Sequence, residues 1–205
     1  MGTSGRYGKY GETKRLARLR KTGPCFLPAG RGIMPSRAFE QFGERPFSRT
    51  KIKIIPAGIM DSRYIRSLIT RVFGIYGPYD DTLTNWFLTG MTFTIMALSG
   101  KKNVGFAMLG RSYLGQSAPR VYELLAIAVE PEMHRQGVGG LLMKAIENEC
   151  GKSQAETLVL HTSVDNLSAQ RLFKKFGFSA LGTKAGFYPE GQDAILMSKD
   201  MLWIP

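Results

Sequence analysis

A glycine-rich turn is the segment whose residue types point most directly to chemistry. An apolar run ends at Val129, the sequence EPEMHRQGVGG occupies residues 130–140, and Leu141 and Leu142 begin an amphipathic pattern. Glycine lets the main chain approach a ligand closely, and the free N–H groups of a first helical turn, together with the helix dipole, attract an anion. The pattern therefore predicts a pyrophosphate-binding turn, with a tight strand-to-helix connection that binds nothing as the alternative interpretation.

Two better-known phosphate motifs do not fit the chain. A dinucleotide fingerprint needs a third glycine at position 142, where the chain has Leu142. The run Gly151-Lys152-Ser153 looks like the end of a P-loop, but the earlier glycine falls at Ile146. That run also ends a predicted helix, whereas a P-loop begins one.

The elements that must position the turn follow from hydrophobic periodicity and from glycine and proline stops. Strands are predicted at residues 51–55 (stopped by Pro56), 91–98, 104–109, 122–129 and 157–161, and in a last hairpin around 182–188 and 194–199. Helices are predicted at 61–73, 80–88, 137–150 and 169–176. The nearly continuous apolar run at 122–129 is typical of a central strand. This order predicts an α/β fold, a mixed sheet with helices on its faces.

Composition narrows the class of protein. The chain has 205 residues, of which 43% are hydrophobic and 21% charged, as in ordinary globular domains. Two cysteines and two histidines argue against a disulfide framework or a structural zinc site, and favour a reducing, cytoplasmic setting. The longest uncharged stretch, residues 82–100, is too polar for a membrane helix, so no membrane association is expected.

The positive charge is concentrated in residues 1–50. This segment has 11 basic and three acidic residues, and so carries +8 of the formal net charge of +12. It is rich in glycine and proline, which predicts an N-terminal extension at 1–50 and a folded domain at 51–205. Three interpretations compete: a solvated tail, a transit peptide for an organellar matrix, and an arm that binds RNA or the ribosome.

Two segments together resemble the GNAT superfamily of N-acetyltransferases. Residues 134–139 are similar to the motif Q/R-x-x-G-x-G/A, with His134 where Gln or Arg is usual. Residues 166–178 resemble the motif N-x-x-A-x-x-L-Y-x-x-x-G-F, with Phe173 where tyrosine is usual. The resemblance covers about residues 51–201. Residues 123–129, 187–189 and 193–197 look like the branch that acetylates ribosomal-protein alanine, a branch that acts on protein N-terminal amines.

This resemblance implies the GNAT fold, a central mixed sheet of about seven strands, splayed between the fourth and fifth strands, with four flanking helices. It implies acetyl-CoA as co-substrate and no metal. The residues it implies around acetyl-CoA are Ile127, Ala128 and Val129 at the pantetheine amides, Arg135, Gln136, Gly137, Val138, Gly139 and Gly140 at the pyrophosphate, Asn166 near the pantetheine arm, and Phe173. For Asn166, a helix N-cap is an equally good interpretation.

The resemblance also implies direct attack of an amine on the thioester. Glu123 and His161 each match a position where family members carry the base, and the sequence does not choose between them. Phe173 cannot protonate the leaving thiolate, so either Tyr188 or a water replaces the usual tyrosine, or the chain is a weak or inactive enzyme. An α-amine has a pKa near 8 and a lysine near 10.4, so an α-amine needs less help from a base.

Aromatic residues are expected to form the acceptor site, between the first two helices and the last hairpin. The candidates are Tyr76, Tyr79, Trp86, Phe187 and Tyr188, together with Tyr122, which resembles a tyrosine that partners the histidine in one subgroup. Strand alternation puts Tyr122 and Glu123 on opposite faces unless a bulge intervenes.

The expected function is acetyl transfer to a protein N-terminal α-amine. One alternative is a binding or assembly protein with weak or no catalysis, whose basic arm docks on RNA or the ribosome. The other is an acetyltransferase of small-molecule amines.

Overall fold

The strands and helices follow one another in the predicted order. The computed structural model describes residues 51–112 and 120–201; the expected extension at 1–50 lies outside them. The strands are β1 (Ile52–Pro56), β2 (Phe93–Ser99), β3 (Lys102–Arg111), β4 (Val121–Val129), β5 (Thr157–Ser163), β6 (Ser179–Lys184) and β7 (Ala194–Asp200). The α-helices are α1 (Ser62–Phe73), α2 (Tyr79–Leu88), α3 (Val138–Lys152) and α4 (Leu167–Lys175).

All the strands belong to one seven-stranded mixed sheet, ordered β1-β2-β3-β4-β5-β7-β6. Only β4 and β5 run parallel, and every other neighbouring pair is antiparallel. β4 lies in the middle, as its apolar run predicted. The predicted fold class is therefore confirmed.

The sheet opens between β4 and β5. These strands pair over four residues, from Val121↔Thr157 to Leu124↔Leu160. Beyond Leu124, β4 pairs only with β3, while β5 pairs with β7 as far as Ser163↔Ala194. The backbone groups of residues 125–129 on the β5 side therefore have no strand partner, as the predicted splay requires.

A bulge in β4 changes the alternation of its side chains. Met108 of β3 pairs with Ala126 and Leu109 pairs with Leu124, so Leu125 is an extra residue. Tyr122 and Leu124 pack against the core under α3 and α4, whereas Leu125 and Ala126 both pack against the core under α1 and α2. The bulge follows Glu123, so Tyr122 and Glu123 remain on opposite faces.

Each face of the sheet has its own core. On one side α1 buries Ile65, Leu68 and Ile69, at helical spacing, against β2, β3 and β4. On the other side α3 buries a similar stripe that ends at Cys150. Burial raises the pKa of the Cys150 thiol to about 12, so it stays neutral and unreactive. None of the helices in the described ranges combines the length and apolarity needed to cross a membrane.

The last hairpin differs from the prediction. β6 ends at Lys184, and residues 185–193 form a connection rather than part of a strand. Gly186 and Gly191 have φ of 56° and 89°, which a strand does not accept, and the main-chain N–H of Gly186 donates to Asp193 Oδ1 at 2.9 Å. Phe187 and Tyr188 therefore lie on a loop. Pro56 is also the last residue of β1 rather than the stop before it, which an edge strand tolerates.

An ion pair ties α1 to the end of β4. The Arg71 guanidinium donates to both carboxylate oxygens of Glu130, at 2.8 and 2.9 Å. Glu130 is 5% exposed and directly follows Val129. The hydrogen bonds from Arg71 hold the pKa of Glu130 below its usual value.

We expect Glu130→Gln to lower the free energy of unfolding by about 2 kcal/mol near neutral pH, because Arg71 loses a charged acceptor. Since the folded-state pKa of Glu130 is lowered, its contribution is fully present above the usual value of 4.5 and is lost as the pH falls through the folded-state value. Urea denaturation at a series of pH values from about 7 to about 3 measures this. The difference in the free energy of unfolding between wild type and variant should become smaller as the pH falls. The control is Glu132→Gln, which removes an exposed partner of Lys102. Equal effects of the two variants at neutral pH would contradict this role of Glu130.

Candidate active site

A cavity of about 230 Å³ lies where β4 and β5 separate. It draws residues from the two helices on one face, from both strands, from α4 and from the 185–193 loop. The lining residues are Phe73, Tyr76, Tyr79, Thr82, Leu83, Trp86, Glu123, Leu124, Leu125, Ala126, Ile127, Leu160, His161, Thr162, Ser163, Asn166, Ala169, Phe173, Phe187 and Tyr188.

His161 and Glu123 form a hydrogen-bonded pair in this cavity. His161 Nδ1 lies 3.0 Å from Glu123 Oε1, and their side chains are only 14% and 20% exposed. With Nδ1–H as the donor to the Glu123 carboxylate, Nε2 is the ring nitrogen that remains for another partner. No described residue hydrogen-bonds to that Nε2. The Phe187 ring stacks on the imidazole, with centroids 4.3 Å apart and planes 10° from parallel, and so fixes its plane.

Tyr188 stands at the centre of an aromatic cluster. Its ring centroid lies 4.7 Å from that of Tyr76, 6.2 Å from that of Tyr79 and 5.1 Å from that of Phe187. Burial, and then the neighbouring Tyr76 and Tyr79, raise the pKa of Tyr188. Its hydroxyl therefore stays protonated at neutral pH and is available as a donor.

Two loops meet beside this cluster. Gln192 Nε2 donates to the Ile75 carbonyl at 2.7 Å, and the Glu190 N–H donates to the Tyr76 carbonyl at 3.4 Å. Gly77 has φ of 135°, and a Cβ there would lie 2.8 Å from Pro189. The connection between α1 and α2 and the 185–193 loop therefore form a continuous wall, which we call the collar (residues 74–78 and 186–192).

On the α4 side, Asn166 acts as the helix N-cap. Its Oδ1 accepts from the Ala169 N–H at 3.1 Å, so the alternative interpretation of this residue is correct for that oxygen. Asn166 also lines the cavity, so its amide is close enough to serve a ligand as well. Phe173, 3% exposed, lines the same part of the cavity.

The glycine-rich turn leaves its main-chain N–H groups free. The residues that the structure describes offer no well-formed acceptor to the N–H groups of residues 135–140. The Gln136 side chain folds back onto the Glu132 carbonyl at 2.8 Å, and His134 Nε2 lies 2.9 Å from the Val129 carbonyl. These N–H groups lie at the N-terminal end of α3, where helix N-termini attract anions.

Gly137 and Gly139 require glycine for different structural reasons. Gly137 has φ of 85°, and nothing lies within 4 Å of a Cβ built there. At Gly139 a Cβ would lie 3.3 Å from Leu172 Cδ2, so this glycine makes room for α4. Arg135 also has positive φ, 61°, which is unusual for a side chain of this size.

Comparison with known proteins agrees with this geometry. The acetyltransferase (GNAT) family matches residues 63–178, more than half of the chain. The chain belongs to the GNAT family of acetyltransferases. The N-alpha-acetyltransferase RimI of Mycobacterium tuberculosis is 31% identical over 105 residues, which are 51% of this chain and 63% of that protein.

Two further proteins are similar to this GNAT chain. The ribosomal protein bS18-alanine N-acetyltransferase of Escherichia coli K12 is 35% identical over 78 residues, 37% of this chain and 53% of that protein. The chain thus spans less than two thirds of these curated relatives. A solved structure from Salmonella typhimurium that contains its cofactor acetyl-CoA shares the fold, with a TM-score of 0.65 over 74% of this chain and 94% of that one, at 15% identity.

The GNAT cavity brings together most of the residues expected from the sequence. Those that line it are Tyr76, Tyr79, Trp86, Glu123, Ile127, His161, Asn166, Phe173, Phe187 and Tyr188. Ala128 and Val129 continue β4 beyond it, and residues 135–140 form the turn at the start of α3. Tyr122 does not line the cavity, because its side chain lies on the other face of the sheet.

Sequence reasoning missed some residues of the site. Phe73 and Leu83 line the cavity, and the sequence distinguished them only as members of two predicted helices. Gln192 and Pro189 build the collar, where only glycine and proline in both loops hinted at a close approach. Among the described residues, no three His, Cys, Asp or Glu side chains are placed to hold a metal ion.

We expect Arg135→Asn to weaken binding of coenzyme A about threefold to fivefold, because one guanidinium is lost beside the free N–H groups. Asparagine accepts positive φ, so the turn and the melting temperature should be preserved. Calorimetric titration at two salt concentrations measures this, and the variant should show the smaller salt dependence. The matched control, Arg63→Asn, removes the same charge from the exposed side of α1. An equal loss of affinity for coenzyme A in Arg135→Asn and Arg63→Asn would show that the pyrophosphate does not bind beside Arg135.

Proposed function

We propose that this chain is an acetyl-CoA-dependent N-acetyltransferase that acts on protein N-terminal α-amines in a cytoplasmic setting. The observation that carries the proposal is the His161–Glu123 pair, which lies between the open edge of β4 and the aromatic collar. An acetyl donor on one side and an amine on the other would meet at this pair. Two relatives named as N-alpha- and alanine N-acetyltransferases support the α-amine as acceptor.

The residues present fit acetyl-CoA. The edge of residues 127–129, which has no strand partner on the β5 side, would hold the pantetheine amides, and the free N–H groups of residues 135–140 would hold the pyrophosphate. When bound, acetyl-CoA supplies the thioester. The backbone of β4 would also polarise the thioester carbonyl.

His161 is the proposed base and Glu123 its positioning partner. The lone pair on His161 Nε2 takes the proton from the amine, directly or through one water. Glu123 holds Nδ1–H, and so fixes the tautomer and stabilises the imidazolium that forms. The amine nitrogen then forms the new bond to the acetyl carbon while the bond from carbon to sulfur breaks.

Tyr188 is proposed to assist the leaving thiolate. Phe173 occupies the place where the family motif has tyrosine, and it has no proton to give. Tyr188 lines the same cavity, and its hydroxyl, whose pKa is raised by burial, stays protonated and would donate a hydrogen bond to the departing sulfur. Because a thiol with a usual pKa near 8.5 is a stronger acid than this tyrosine, the thiolate takes its proton from solvent or from the imidazolium of His161.

We expect His161→Ala to lower kcat by at least about a hundredfold, since general-base catalysis supplies that much. Glu123→Gln should lower kcat less and change the pH profile, because the amide no longer stabilises the imidazolium. Release of free thiol with acetyl-CoA and a panel of peptides measures both, and calorimetry should show unchanged affinity for coenzyme A.

Two outcomes would count against this function. A wild-type kcat in His161→Ala would show that His161 is not the base. Binding of coenzyme A without acetylation of any peptide would favour the small-amine enzyme or the inactive binding protein. The RNA or ribosome contact expected for residues 1–50 lies outside the described residues.

We expect Tyr188→Phe to lower kcat about tenfold with little change in the affinity for coenzyme A, because one hydrogen bond to the departing sulfur is lost. Adding Phe173→Tyr should restore part of that kcat, since it returns a hydroxyl to the position of the family motif. Thiol-release kinetics of the single and double variants measure this. A wild-type kcat in Tyr188→Phe would show that Tyr188 does not assist the departing sulfur.

A further inference from the structure

The acceptor side of the cavity is an aromatic pocket, formed by Phe73, Tyr76, Tyr79, Leu83, Trp86, Phe187 and Tyr188. We propose that this pocket selects acceptors whose first residue is large and apolar, such as methionine, leucine or phenylalanine, over alanine, serine or a charged residue. This selectivity rests on the proposed transfer to an N-terminal amine.

The pocket begins beside the reacting group. Phe187 stacks on His161 with ring centroids 4.3 Å apart, and Tyr188 follows it directly in the chain. The side chain of the first residue is attached one carbon from the reacting nitrogen. A nitrogen within reach of His161 therefore places that side chain among the rings of the aromatic pocket.

The aromatic pocket offers no charge to a charged side chain. Of the described residues that line the cavity, Glu123 and His161 are the ionisable ones besides tyrosines, and they are paired with each other. Burying an unpaired charge among apolar groups is strongly unfavourable. An acidic or basic first residue should therefore be a poor acceptor.

The aromatic pocket also favours large side chains over small ones. Its rings contact one another at centroid distances of 4.7 to 6.2 Å and present broad apolar surfaces. An alanine methyl would leave most of that surface without a partner, whereas each added methylene in such a pocket changes specificity about tenfold or more.

The collar keeps the aromatic pocket in one shape. Hydrogen bonds from Gln192 to Ile75 and from Glu190 to Tyr76 join its two loops, and Pro189 packs on Gly77. Walls joined in this way do not collapse around a small side chain. The preference for size should therefore persist across peptides that differ beyond the first residue.

A peptide series that differs only in its first residue tests this selectivity. The first residue is Ala, Ser, Asp, Lys, Met, Leu or Phe. Thiol release gives kcat/KM for each peptide, and mass spectrometry checks that the N-terminus is acetylated. We expect kcat/KM to be at least about tenfold higher for the Met, Leu and Phe peptides than for the Ala peptide. A kcat/KM for the Ala or Ser peptide that equals or exceeds the kcat/KM for the Met, Leu and Phe peptides would overturn the inference. Failure to acetylate any peptide, with coenzyme A still bound, would instead reject the proposed function.

A charge placed beside the aromatic pocket, on the rim of the cavity, provides a second test that does not disturb the core. Thr82 lines the cavity yet is exposed, so Thr82→Glu should fold normally and raise the ratio of kcat/KM for Lys-first over Leu-first peptides at least about fivefold. The matched control is Asn85→Glu, which adds the same charge to an exposed position of α2 that does not line the cavity. An unchanged ratio in Thr82→Glu, or an equal change in both variants, would overturn the inference.

Discussion

The limited pairing of β4 with β5 is the constraint on which the rest of the site depends. After Leu124↔Leu160 each strand follows its other neighbour, and the backbone of residues 125–129 is left without a strand partner on one side. Backbone groups in a protein interior require hydrogen-bond partners, so an edge left open in this way is suited to a ligand or to ordered water. The turn that follows Val129 then extends the same ligand site to the start of α3.

The point where the strands part is also where the two reacting groups meet. Glu123 lies one residue before the last paired position of β4, and His161 lies one residue after the last paired position of β5. They are 38 residues apart in the chain, and only the parallel register brings His161 Nδ1 to 3.0 Å from Glu123 Oε1. In the proposed function the donor slot and the acceptor pocket therefore share His161 as their base.

Features that depend on local patterns could be predicted from the sequence, and contacts between distant segments could not. Hydrophobic periodicity and glycine stops predict α1 and α3 from the local sequence, and the glycine-rich turn predicts an anion site. The bonds from Arg71 to Glu130 and from Gln192 to Ile75 span 59 and 117 residues, so no spacing rule reveals them. The loop that carries Phe187 and Tyr188 was predicted as strand because its apolar residues outweighed the glycines on either side.

In the proposed mechanism His161 and Tyr188 both lie beside Phe187, and this arrangement would let the chain function with Phe173. The Phe187 ring stacks on the imidazole of His161, whose Nδ1 faces Glu123, and the ring of Tyr188 lies 5.1 Å from that of Phe187. Burial among other rings raises the pKa of Tyr188, so its hydroxyl stays protonated and could donate a hydrogen bond to the departing sulfur. A donor on the collar instead of on α4 would leave Phe173 as an apolar wall of the cavity.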